Sequence, residues 1–384
     1  MRKIAITATG LILAALLLSF CKPVVRMFMS PGEPPAGQKG MTTETPGIHV
    51  QVVAEGLEIP WEIRFLPDGD MLITERPGRL LKLPLPAPDD SPVRPEDGHA
   101  WTVDSVHHQG EGGLMGLALH PDFAANRLIY LMHTSQKEAG QAVNRVTRYR
   151  LTELGPIDAK TILDNIPAAS FHNGGRLAFG PDGYLYITTG DATQSELAQT
   201  RNTLNGKILR VTDNGEIPPD NPFDSLLWSW GHRNPQGLAW DDSGRLWSTE
   251  HGRSGLRSGF DELNLIQPGA NYGWPAIEGD ATESGMHPPV KHSGPDYTWA
   301  PADLAWLDKR LFFGGLRGQA LYATRIQGEK VAGFHAHFVE EFGRIRAVAV
   351  GPDGMLYFAT SNRDGRGRVH AGDDKIRRVD PADL

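Results

Sequence analysis

Cysteine is nearly absent, with Cys21 the only one in 384 residues. One thiol can close no intrachain disulfide and build no zinc–thiolate centre, so neither holds this fold together. A basic excess is also missing: 38 Lys and Arg stand against 46 Asp and Glu, a net charge of −8. That balance argues against a nucleic-acid groove, which needs a basic face to neutralise phosphates. Long helical periods between the apolar runs are lacking, which removes an α/β architecture. There is no regular Ca²⁺-loop spacing either, so any cation site has to be built from dispersed oxygens.

What the chain has instead is one phrase six times over: a short apolar run, a Pro-Asp-Gly type turn, and a second apolar run. It reads Ile63-Arg64-Phe65-Leu66-Pro67-Asp68-Gly69 before Met71-Leu72-Ile73, and Leu177-Ala178-Phe179-Gly180-Pro181-Asp182-Gly183 before Tyr184-Leu185-Tyr186-Ile187. Other copies cover 117–122, 238–244, 304–310 and 348–354, each followed by an apolar run. Turn positions 67, 121, 181, 241, 307 and 352 are spaced by 54, 60, 60, 66 and 45 residues, close to the length of a propeller blade with its loops. Proline fixes φ and Asp-Gly closes the reversal at low steric cost, so each copy is a hairpin. A hairpin cannot bury its own apolar face, and stacking the six copies radially predicts an all-β, six-bladed β-propeller over 46–384. The segment 47–53 is the candidate strand that closes the last blade onto the first. The 44 glycines and 29 prolines suit such a turn-rich fold.

Arg2 and Lys3 precede an uncharged run over 4–21, the layout of a signal peptide or an N-terminal membrane anchor. Export to the periplasm or another extracytoplasmic compartment is therefore expected. Residues 22–45 read as a flexible linker.

Four polar clusters lie just outside the repeats, where loops gather at one end of a propeller channel. Phe171-His172-Asn173-Gly174-Gly175-Arg176 offers a glycine-flanked imidazole suited to general-base work; alone, it reads more readily as a surface histidine in a turn. Gly231-His232-Arg233-Asn234-Pro235-Gln236-Gly237 sets a guanidinium beside an amide, a pairing suited to carboxylate or quinone oxygens or to an interblade ion pair. In Gly343-Arg344-Ile345-Arg346, strand alternation points both guanidinium groups to one side. With Arg317 of Gly314-Gly315-Leu316-Arg317-Gly318, three arginines either face one channel and suit a ligand with several carboxylates or, as an equal alternative for the pair alone, form an exposed and solvated β-face. Glu250-His251-Gly252-Arg253, Asp261-Glu262-Leu263-Asn264 and 269–275 combine carboxylates with loop carbonyls, the oxygens that Ca²⁺ prefers, although turn and capping duty also explains them.

Taken together and in this order, these phrases resemble the soluble pyrroloquinoline-quinone (PQQ) dependent sugar dehydrogenases, most closely the periplasmic bacterial aldose sugar dehydrogenase branch. The matching stretches are 110–123, 172–191, 205–210, 231–238, 250–252, 261–275 and 344–356. The resemblance implies that His172 is the general base for the sugar hydroxyl. It implies that Arg233 and Asn234 contact the quinone, and that Arg317, Arg344 and Arg346 bind the cofactor's carboxylates. Glu111, His251 and Gly318 fall at cofactor positions too. Glu262 and the Tyr272 backbone match a Ca²⁺ site, and Gly252 a second Ca²⁺ against PQQ. Three departures stand out. Glu111 occupies a position where Gln is frequent, Phe171 replaces an Asp before the histidine, and Arg253 stands where Pro is usual.

The implied reaction is oxidation of an aldose at C1 to a lactone, with electrons passed to an external acceptor. His172 takes the hydroxyl proton and Arg233 stabilises negative charge on the quinone oxygens. A non-catalytic ligand- or glycan-binding propeller is the alternative, and loss of the histidine or of the Arg-x-Arg pair would favour it. A calcium-dependent lactonase would need several carboxylates at the channel centre, which the arginine-rich mouth opposes.

Overall fold

The computed structural model describes residues 41–43, 47–137, 140–255 and 258–384. Six sheets, each with four antiparallel strands and one with a short fifth strand added in parallel at its edge, account for nearly all its regular structure. From the channel outward, blade 1 is Pro60–Phe65, Met71–Glu75, Arg79–Leu83 and His99–Thr102. Blade 2 runs Leu114–Leu119, Leu128–Gln136, Ala142–Thr152 and Gly155–Pro167. Blade 3 is Leu177–Phe179, Leu185–Thr189, Lys207–Val211 and Leu227–Trp230. Blade 4 comprises Pro235–Trp240, Leu246–Glu250, Glu262–Ile266 and Lys291–His292. Blade 5 holds Pro301–Leu307, Arg310–Gly315, Leu321–Gln327 and Lys330–His337. Blade 6 takes Ile345–Val350, Leu356–Thr360 and Ile376–Val379 from the C-terminal end, and its outermost strand, Val50–Ala54, from the N-terminal end. Innermost strands of successive blades pack on one another, and blade 6 packs on blade 1, so the ring closes.

Each sequence repeat is the hairpin joining the first and second strands of a blade. Gly69, Gly183, Gly244 and Gly354 all sit in the left-handed region that these turns require, with φ of 94°, 79°, 74° and 76°. Blade 5 uses a two-residue reversal instead, with Asp308 and Lys309 both at positive φ, and blade 2 puts a single helical turn, Phe123–Asn126, in its loop. The turn carboxylates do more than close the reversal. Asp182 Oδ2 accepts from Tyr186 Oη at 2.8 Å and Arg210 Nε at 3.0 Å, fastening the first turn of blade 3 to its second and third strands.

An apolar cluster fills each of the six junctions between neighbouring blades. Ile63, Ile73, Tyr357 and Ala359 join blades 1 and 6, and Trp247, Leu263, Leu311 and Phe313 join blades 4 and 5. Burying one such side chain stabilises the fold by roughly 1.5–3 kcal/mol, so the ring is held mainly by contacts between blades. At the N-terminus the structure bears on the end of the expected linker alone. Thr42 and Thr43, placed in the linker, pair in parallel with His335 and Ala336 on the outer edge of blade 5, and Met41 packs against that blade's core. The signal or anchor expectation for 1–21 lies outside the described residues. Among the described residues no helix is long and apolar enough to cross a membrane.

Candidate active site

Antiparallel pairing sends the repeat turns to one end of the ring. The segments that enter each first strand, and those that leave each second strand, gather at the other end. There they enclose a cavity of about 330 Å³ lined by loop residues of five blades, among them Glu111, His172, Arg233, His251, Gly252, Arg317 and Arg344. Seven of the residues singled out in the sequence thus share one wall.

His172 enters blade 3 with φ of 61°, and its ring is 17% exposed. Nδ1 lies 2.8 Å from Asp191 Oδ1, just beyond the second strand of the same blade. Asp191 also accepts from the Thr193 amide at 2.8 Å and from Trp274 Nε1 at 2.9 Å. Burial pushes its carboxyl up, but the His172 bond and charge, the Thr193 amide and Arg233 outweigh this and hold it below the ordinary range. An ionised Asp191 puts the proton on Nδ1 and leaves Nε2 with a lone pair. The sequence reading missed this partner. Phe171 takes the place of an Asp that could orient the histidine, and Asp191 supplies a carboxylate from the far end of the 172–191 stretch.

Arg233 is buried, with Nη2 donating to Ser254 Oγ at 2.9 Å and its guanidinium 5.3 Å from the centre of the Trp274 ring. Burial lowers its pKa, with Asp191, Asp261 and Glu111 only partly opposing. Arg317 Nη1 donates to Ser258 Oγ at 2.8 Å. Arg344 has a carboxylate partner that the sequence did not reveal: Nε and Nη2 grip Asp364 Oδ2 at 2.9 and 2.7 Å, and Nη1 donates to the Leu316 carbonyl. Arg346 is 4% exposed and off the cavity wall; it donates to Gln236 Oε1 at 3.2 Å and lies over Trp61. Burial, then Arg76, pull its pKa down to about 9. So the two arginines of Arg-x-Arg do different things, one paired at the wall and one nearly isolated beneath it. Among the described residues no carboxylate lies within ion-pair distance of Arg233, Arg317 or Arg346.

Several buried polar atoms in this region have no partner: Arg233 Nε, Arg346 Nε, Asn234 Nδ2 and His251 Nε2. Asn234 is otherwise held, its Oδ1 accepting from the Gly174 amide. His251 is kept neutral, chiefly by burial, with a pKa near 3. Unmet buried donors are costly, and their concentration here marks a place for an acceptor-rich ligand.

Glu111 puts an acid on the wall of an arginine-rich cavity, and Arg366 neutralises it, Nη1 to Oε1 at 2.7 Å. Burial pushes Glu111 up, but Arg366 above all overrides this and brings it down to about 2. Arg366, Asp364 and the buried Arg76 were all absent from the sequence reading. Arg253 is directed to Glu278 at 3.1 Å and stacks over Phe260. Gly318 does not reach the cavity: its amide donates to the Trp299 carbonyl, and a Cβ there would meet Tyr322 Oη at 2.0 Å.

Glu262 and Tyr272 lie behind the cavity in blade 4 and the loop after it. Tyr272 stacks on His232, His232 bonds Glu250, and Glu250 is the cross-strand neighbour of Glu262. Glu262 is pushed well up by burial and by Glu250, and its polar contact is Asn264 Nδ2 at 3.0 Å. Among the described residues there is no group of three or more His, Cys, Asp or Glu side chains that could hold a metal ion.

Fold and site together define a six-bladed propeller with an arginine-rich ligand cavity and a histidine–carboxylate pair at one channel mouth. The chain belongs to the family described as glucose/sorbosone dehydrogenase, whose sequence profile matches residues 57–369. It is 35% identical over 349 residues to the aldose sugar dehydrogenase YliI of Escherichia coli, covering 83% of this chain and 91% of that one. Quinoprotein glucose dehydrogenase B of Acinetobacter calcoaceticus is 34% identical over 274 residues, 61% of this chain and 54% of that protein. The PQQ-bound form of aldose sugar dehydrogenase from Streptomyces coelicolor superimposes with a TM-score of 0.77 at 38% identity, covering 90% of this chain and 99% of that one.

Proposed function

We propose that this chain oxidises aldose sugars at C1 to lactones with PQQ as cofactor and passes the electrons to an external acceptor. The carrying observation is that His172, bonded to Asp191 behind it, shares one cavity with Arg233, Arg317 and Arg344, backed by buried donors on Arg346 and Asn234 that lack protein acceptors. PQQ carries three carboxylates and quinone oxygens, all acceptors, so its chemistry suits this donor set. Arg317, Arg344 and Arg346 would hold the carboxylates, and Arg233 with Asn234 the quinone edge. When bound, PQQ supplies the two-electron oxidant that takes the hydride from the sugar's C1.

The chain's own contribution is proton handling and charge. His172 Nε2, left with its lone pair by the Asp191 bond, takes the C1 hydroxyl proton, and ionised Asp191 stabilises the imidazolium formed. Arg233, fixed by Ser254 and Trp274, would stabilise negative charge at the quinone oxygens. We assign Ca²⁺ to Glu262 and the Tyr272 carbonyl, because a half-buried carboxylate with no cation in ion-pair range among the described residues suits a hard ion. The Gly252 carbonyl would serve a second Ca²⁺ at the cavity. A periplasmic setting goes with this reading, residues 1–21 providing the signal or anchor.

The test is to add PQQ and Ca²⁺ to purified apoprotein and follow dye reduction over a panel of aldoses. Saturable, PQQ-dependent reduction with formation of lactone is expected. Absence of PQQ uptake would instead favour a binding propeller without redox activity.

A further inference from the structure

The backbone of His172 is held in an uncommon conformation from two sides. Its φ of 61° lies in the left-handed region, where a histidine stays only if its surroundings hold it there. On the blade 3 side, its carbonyl accepts from the Ala192 amide at 3.1 Å, and Gly190 packs so close that a Cβ would meet that carbonyl at 1.9 Å. From blade 2, Glu111 Oε2 accepts the His172 amide at 3.1 Å while the Glu111 amide donates to the Ser170 carbonyl at 2.9 Å. The second carboxylate oxygen of Glu111 is held by Arg366, which comes from blade 6 on the far side of the mouth. Arg366 is itself fixed by its amide on Asp364 Oδ1 at 2.9 Å and by the Phe171 ring, 5.3 Å from its guanidinium. Asp364 is also the carboxylate that grips Arg344.

We infer that Glu111 and Arg366 are a positioning pair that locks the His172 backbone and so aims its ring, an inference resting on the base role proposed above. Neither residue transfers a proton. Arg366 stops the Glu111 carboxylate from swinging away, and Glu111 then holds the histidine amide. The cavity loops of blades 2, 3 and 6 are thereby joined in one chain of bonds from His172 to Arg344. The ion pair does here what a neutral side chain at position 111 could do only without an anchor.

Three variants separate this from a general structural role: Arg366→Met, Arg366→Lys and Glu111→Gln, with wild type, each loaded with PQQ and Ca²⁺ and assayed on glucose with a dye. Misplacing a reacting group by about 1 Å can cost up to ~10²-fold, so Arg366→Met and Glu111→Gln should each lose kcat by roughly 3- to 100-fold. PQQ affinity should hold within about twofold in Arg366→Lys and should not fall in Glu111→Gln, whereas Arg366→Met leaves the Glu111 carboxylate unneutralised on the cavity wall and is read from kcat at saturating PQQ. A fourth variant that combines Arg366→Met with Glu111→Gln should be no worse than the poorer of the two singles, because both act through one contact. Arg366→Lys, which keeps the charge, should recover most of the turnover. Without any cofactor, histidine-labelled apoprotein should show the His172 ring signal shifted or doubled in Arg366→Met, with His287 and His292 unmoved. An unmoved His172 signal together with full kcat would overturn the inference. So would a Glu111→Gln variant that loses PQQ affinity at unchanged kcat, which would make Glu111 a direct cofactor contact. If wild type oxidised no sugar, the functional reading would fail by itself, since the ring-signal comparison is made on apoprotein.

Discussion

Arg210, at the turn end of the ring, has every guanidinium nitrogen engaged: Nε on Asp182, Nη1 on Asp220 and Asn221, Nη2 on Asp220. At the opposite end Arg233 and Arg346 are as little exposed, yet each keeps a buried Nε without a partner. Their pKa values diverge accordingly. Burial lowers all three, but the Asp220 and Asp182 carboxylates overcome it at Arg210 and raise that residue, whereas Arg233 and Arg346 stay lowered. Burying a cation without its counterion opposes folding, so the contrast shows which end is built for stability and which retains binding capacity.

Substitutions at the two ends should therefore move different observables. The largest effect is expected for His172→Ala: a positioned base is worth ~10²- to 10⁴-fold, so kcat should fall by that factor with PQQ still bound and the melting temperature little changed. Arg346→Met comes next. Removing one partner of a desolvated charge pair typically costs about 2–5 kcal/mol of binding, so PQQ affinity should drop steeply in a titration, while the apoprotein is no less stable. An acid-limb comparison of wild type with Glu111→Gln follows. The Glu111 pKa is about 2 in the folded state against 4.5 as the reference, so its contribution is fully present above about pH 4.5. It fades as pH falls towards 2, and urea unfolding should show a gap of at most about 3 kcal/mol closing over that window.

At the turn end the ordering reverses. Asp182→Ala strands the Tyr186 hydroxyl and Arg210 Nε and should cost about 1–3 kcal/mol in chemical denaturation with kcat/KM unchanged. Smallest is Lys82→Met, whose partners Asp68 and Asp70 are well exposed; less than about 1 kcal/mol, vanishing in high salt, is expected. A turn-end variant that lost PQQ affinity but not stability would break the comparison.

What could be read from the sequence follows the range of the interactions. Repeat hairpins were legible because Pro, Asp and Gly fix a turn within four residues, and all six turned out to join the first and second strands of a blade. Closure by an N-terminal strand was legible in outline, since 47–53 had no other partner; the pairing strand is Val50–Ala54. Glycine-flanked phrases led to His172, Arg233, Arg317 and Arg344, which share the cavity. Their countercharges were hidden. Glu111 meets Arg366 across 255 positions, and Asp364 meets Arg344 from the loop leaving the next strand, so no local pattern joins either pair. Alternation alone also put Arg344 and Arg346 on one side, whereas Asp364 holds the first at the wall and Gln236 takes the second beneath it.

The most direct trial is a calorimetric titration of PQQ into wild type and into Arg346→Met at matched salt and Ca²⁺. Stoichiometric uptake by wild type, sharply weakened in the variant, is what a ring of unmatched guanidinium donors requires. Equal uptake by both chains, or none by wild type, would contradict it.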